Sequence, residues 1–131
     1  LNINVQLEPL EYKVYIDRIG KGDYQLACGN WIADFNDPIS FLEVFKTKHV
    51  GTNNTGWQSL DYIKAIDSSY ACINEEDRSI ALKESERIIM EEMPVIPIYH
   101  HTMLHLQDDK LKNVILTDTG NIDFKCAYIS D

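Results

Sequence analysis

Two stretches of the 131-residue chain carry side chains that could do chemistry: HHTMLH at residues 100–105 and GNWIADFNDPISF at residues 29–41. Three cysteines, Cys28, Cys72 and Cys126, stand apart from both pairing patterns and metal spacings. In the first stretch, His101 and His105 would share one helical face and could chelate zinc. On a strand, with its rise of about 3.3 Å per residue, the same pair would lie about 13 Å apart. Pro97 and the alternation through Ile98, Met103 and Leu104 favour the strand, so the histidines are expected at a strand end or on a cleft wall. In the second stretch an apolar run with Trp31 ends on a carboxylate, Asp34. Capping and turn formation account for Asp37, which precedes Pro38, better than for Asp34.

Hydrolytic and phosphate chemistry have no local support. There is no GxSxG elbow, HExxH helix, GxGxxG loop or Walker loop, and GKG at residues 20–22 is too short to cradle a phosphate. Cys28 paired with a histidine has no local signature either. The formal net charge of -9 opposes binding to a nucleic-acid backbone, which rewards clustered Lys and Arg. No apolar run approaches the ~18–20 residues that a membrane-spanning helix needs. Three cysteines without CxxC spacing make neither a zinc ribbon nor a complete disulfide framework, so at least one thiol is expected to be free or paired outside the chain. The opening, alternating and without methionine, reads as a cut within a longer chain, so a missing targeting signal carries no weight.

The elements that position these residues read as one mixed α/β domain. Ile3, Val5 and Leu7 alternate as a half-buried strand, and Leu10 to Ile19 has helical spacing stopped by Gly20 and Gly22. Tyr24 to Cys28, continuing to Ala33, reads as a second strand; strand, helix, strand in that order predicts a βαβ unit with parallel pairing. Short helical patterns follow at Ser40 to Lys46 and Leu60 to Ala71. A longer helix is predicted with Asn74 as N-cap and Ala81, Leu82, Ile89 and Met93 on its apolar stripe. GTNNTG at residues 51–56 reads as a surface loop. Val95 to Tyr99 is strand-like around Pro97, and strands are expected at Val114 to Leu116 and Phe124 to Ile129 with a turn at Thr119 to Asn121. Tyr12 and Tyr15, like Trp57 and Tyr62, read as core aromatics. Trp31 differs because it stands beside Asp34 at the carboxyl end of a strand, where open α/β sheets bind ligands.

Three separated segments together resemble one family. GNWIADFNDPISFL resembles the W-x-A-D-Y/F-N/D-x-P-x-x-F motif of the oligopeptide- and dipeptide-binding proteins of ABC importers, solute-binding protein family 5. EEDRSIALKESERIIMEEMPVIPIYHH resembles their helix running into a P-x-I-P-x-Y strand, and KLKNVILTDTGNIDFKCAYI resembles their closing strands. The resemblance implies the C-terminal lobe, usually called domain three, of a class II periplasmic-binding-protein-like fold, a mixed sheet flanked by helices. Residues 1–131 would form most of that lobe, with the last strands, about 113–131, returning to the other lobe.

The resemblance further implies a non-enzymatic receptor, without a cofactor, for oligopeptides. It would lie in the periplasm or be tethered as an extracytoplasmic lipoprotein, and it would deliver its ligand to an ABC permease. Asp34 matches the carboxylate that pairs with the peptide α-ammonium group, and Trp31 and Ile32 match a strand that bonds the peptide main chain. Cys28 stands where some relatives carry an arginine near the ligand, Asn30 where they often have glycine, and Arg18 near another basic site. His100 and His101 replace common tyrosines, which leaves as alternatives a nickel chelate, haem or sugar-like ligand in the same fold, or a small metal-dependent enzyme.

Overall fold

The computed structural model describes residues 2–48, 52–117 and 119–131. Helices α1 (Tyr12–Lys21), α2 (Ile39–Leu42), α3 (Leu60–Ala71) and α4 (Glu75–Glu92) precede four two-residue strands. These are β1 (Leu111–Lys112), β2 (Ile115–Leu116), β3 (Ile122–Asp123) and β4 (Tyr128–Ile129); a 3-10 turn, Glu43–Phe45, extends α2.

The helix ends follow from local chemistry. Glu11 caps α1 by accepting from the Lys13 and Val14 N–H groups, and Gly22, at φ 70°, closes it in the left-handed conformation that a Cβ disfavours. The Ser59 hydroxyl accepts from Tyr62 N at the start of α3. Asn74 accepts from Asp77 N at 2.8 Å, and Glu75, Glu76 and Asp77 set negative charge against the positive end of the α4 dipole.

The core lies between α3 and α4, where Tyr62, Ala65, Ile66, Leu82, Ile88 and Ile89 meet Ile39 of α2; Leu42, Phe45, Trp57 and Val95 pack at its margin. Small residues let the two long helices approach: Ser69 and Ser85 are fully buried, and each hydroxyl donates to a carbonyl of its own helix, Ile66 O and Ala81 O. In the apolar stripe expected of α4, Leu82 and Ile89 are buried but Met93 is exposed, because the chain turns left-handed there (φ 49°) ahead of Pro94. Ile88 takes its place inside.

The strands are antiparallel and nested, β1 with β4 (Leu111 opposite Ile129) and, inside them, β2 with β3 (Ile115 opposite Asp123). The expected turn at residues 119–121 is present, closed by Gly120 N donating to Thr117 O at 2.9 Å.

The predicted βαβ unit is not formed. Residues 3–7, 24–33 and 95–99 join no ladder among the described residues. A strand is stable only when a neighbour takes up its N–H and C=O groups, and among the described residues none pairs with these segments. Apart from Val95 at the core margin, their large apolar side chains are mostly exposed, Leu7 at 92% and Ile98 at 78%. Tyr12 and Tyr15 are not core aromatics either: Tyr12 is exposed and stacks on a half-buried Tyr15, since α1 buries no residue. Trp57 and Tyr62 do meet edge to face at the core, ring centroids 5.0 Å apart.

Candidate functional site

The segment from Trp31 to Ser40 is a compact loop tied together by its own polar groups. The Trp31 indole Nε1 donates to Ser40 O at 2.8 Å, and the backbone N–H of Asp34 donates to Ser40 Oγ at 2.8 Å. Asp37 turns the chain into α2: its Oδ1 accepts from Ile39 N at 2.8 Å, and its carbonyl accepts from Ser40 N at 3.0 Å. Turn chemistry therefore does occupy Asp37. From α4, Arg78 Nη2 reaches the same Oδ1 at 2.8 Å. The hydrogen bond from Arg78, helped by Ile39 N and the guanidinium charge, outweighs desolvation and holds the Asp37 carboxyl below its ordinary value.

Trp31 and Asp34 line one open hollow of 350 Å³ together with Phe35, Glu43, Val44 and Thr52. Among the described residues no side chain bonds or ion-pairs the Asp34 carboxylate; the only partner of Asp34 is through its backbone N–H. Two carboxylates with aromatic faces beside them suit a cationic group and repel an anion. A larger hollow, 460 Å³, lies between Gly20–Gly22, Tyr24 and Asn54, but it contains no carboxylate. The Trp31–Asp34 hollow is the candidate site because ionic recognition and an aromatic wall coincide there.

Next to Thr52, which lines the hollow, Asn53 is 1% exposed although the polar loop containing it is expected at the surface. Its Nδ2 donates to the carbonyls of Phe45, Thr47 and Trp57, and its Oδ1 accepts from Thr55 N and Thr55 Oγ1. One buried amide thus closes the loop on itself, which polarity alone does not reveal. Gly51 of that loop is outside the described residues.

Of the sequence candidates, Trp31 and Asp34 come together, whereas Cys28, Asn30 and Ile32 lie on the segment leading to the hollow and do not line it. Tyr15 Oη donates to Cys28 O at 2.9 Å, fixing that segment against α1. The Cys28 thiol is exposed and, like Cys72 and Cys126, free. Arg18 is engaged by Glu8 at 2.9 Å and Asp23 at 3.3 Å. His100, His101 and His105 are exposed in a non-helical segment. Among the described residues no three His, Cys, Asp or Glu side chains gather into a metal-ligand set. Sequence reasoning missed Ser40, Glu43, Asn53 and Arg78; for Ser40 the available signal was a small polar residue just inside a helix that starts at Asp37-Pro38.

No protein-family model matches the chain. It is 42% identical over 128 residues to oligopeptide-binding protein OppA of Bacillus subtilis (strain 168), covering 98% of this chain and 24% of that protein. It is 31% identical over 127 residues to dipeptide-binding protein DppE of the same organism, covering 97% and 23%. The structure of the pheromone receptor PrgZ, solved for its mode of peptide binding, superposes with a TM-score of 0.82 at 29% identity over 99% of this chain and 25% of that one. The chain spans about a quarter of the length of these relatives.

Proposed function

The chain belongs to the family of oligopeptide- and dipeptide-binding proteins, solute-binding protein family 5, and from that premise we propose that it forms one wall of an oligopeptide-binding cleft in the receptor of an ABC importer. Asp34 pairs with the α-ammonium group of the peptide. The adjoining segment through Trp31 and Ile32 offers main-chain hydrogen bonds in the manner of an added strand, which gives affinity without reading side chains. The observation that carries this reading is the Asp34 carboxylate, free of side-chain partners among the described residues and set in a hollow beside Trp31. The relatives compared above are binding proteins rather than enzymes.

Residues 1–131 make up most of the C-terminal lobe, and the last strands, about 113–131, return to the other lobe. The exposed, unladdered segments at 3–7 and 95–99 support a wider sheet completed by the rest of the protein. Closure of the two lobes about a hinge excludes water from the ion pair, and the loaded receptor hands its peptide to the permease. The receptor works outside the cytoplasmic membrane, in the periplasm or as a lipoprotein. No helix of the described residues is long and apolar enough to cross a membrane.

Asp34→Ala in the full-length protein tests the assignment. Truncating one partner of an enclosed ion pair costs ~2–5 kcal/mol, roughly 30- to several-thousand-fold in peptide affinity. Unchanged affinity, measured by calorimetric titration with a mixed oligopeptide pool, refutes the role of Asp34.

A further inference from the structure

We propose that Ser40, which lines the hollow, is a positioning residue for ligand recognition, holding the Asp34 backbone and the Trp31 ring in register. The inference rests on the peptide-binding reading above. Ser40 is only 6% exposed, yet both of its oxygens face the loop: Oγ accepts from Asp34 N and the carbonyl accepts from Trp31 Nε1, each at 2.8 Å. No other residue touches both groups through hydrogen bonds among the described residues.

Ser40 is itself anchored. Its N–H donates to Asp37 O at 3.0 Å, and Asp37 is gripped by Arg78 of α4, one of the two helices that enclose the core. A continuous chain of polar contacts therefore runs from α4 through Asp37 and Ser40 to Asp34. Its effect is to fix the peptide plane from which the Asp34 side chain projects.

A carboxylate held in one orientation loses less freedom on meeting an ammonium group than one on a slack loop. Ser40→Ala removes the acceptor of Asp34 N but keeps the carbonyl that holds Trp31. The loss should accordingly fall on ammonium recognition and not on the aromatic wall.

The test uses the full-length protein with a mixed oligopeptide pool carrying free amino termini and the same pool acetylated, and reads the ratio of the two apparent affinities. Ser40→Ala is expected to lower that ratio about tenfold, the consequence of one lost hydrogen bond. Ser40→Thr, which restores a hydroxyl, is expected to recover most of it. Equal weakening toward both pools would make Ser40 a purely structural residue and overturn the proposal, as would a wild-type ratio in Ser40→Ala. Asp34→Asn, run alongside, separates the two levels: a wild-type ratio there removes the ammonium reading itself, while loss of the ratio there with none in Ser40→Ala removes only the role of Ser40.

Discussion

Arg78 Nη2 lies 2.8 Å from Asp37 Oδ1, joining α4 to the loop that carries Asp34 across 41 residues of sequence. Both side chains are about a quarter exposed, so the bond is neither a freely solvated surface pair nor a buried one. It matters chiefly for geometry, because Asp37 also receives the first free N–H of α2.

This bond makes stability depend on pH in the acid range. Asp37 has its carboxyl lowered from 3.8 by Arg78, so its contribution is complete above that value and is lost as pH falls through the lower folded value. Thermal midpoints of the full-length protein below about pH 4 should therefore fall more steeply for wild type than for Asp37→Asn. Parallel acid limbs would show that the pairing contributes nothing.

Asn53 is expected to be intolerant of substitution. Asn53→Ala strips the Nδ2 donor from three carbonyls and the acceptor from Thr55, a cost of about 2–4 kcal/mol at a buried site. Asn53→Asp should be no better, since a carboxylate would face those carbonyls with no proton to give. Urea unfolding measures the loss, and hydrogen exchange at the Thr55 amide should accelerate in Asn53→Ala, which alone removes its acceptor.

The α3–α4 seam should show a graded response. Ile66 is fully buried, and Ile66→Ala should cost about 2–5 kcal/mol through lost burial and the cavity left behind. Tyr62→Phe keeps the ring but removes the hydroxyl that donates to Leu42 O at 2.6 Å, a cost of about 1–2 kcal/mol. A denaturant series in which Tyr62→Phe is the more damaging would contradict this placement of the core.

The helices were legible because their signals are local. Asn74 at the start of α4 and glycine after α1 are caps that fix an end whatever surrounds it. Strands have no such independence. Ile3, Val5 and Leu7 alternate as a strand should, but alternation cannot supply the neighbour that a ladder requires, and none lies alongside among the described residues. At the site, Trp31 and Asp34 could be found from residue type and their place in a motif. Asn53 and Arg78 could not, because their importance lies in contacts made through space, with Arg78 reaching Asp37 and one buried amide closing the loop from Phe45 to Trp57. Burial of Asn53 reverses the usual inference from a polar, turn-rich sequence.

The most direct measurement is a tryptophan-fluorescence titration of the full-length protein with a mixed oligopeptide pool, repeated with the same peptides acetylated at the amino terminus. Tight binding that acetylation abolishes is the result expected if Asp34 receives the peptide ammonium group beside Trp31. Equal binding of both pools, or a response to neither, would contradict it and move recognition away from that carboxylate.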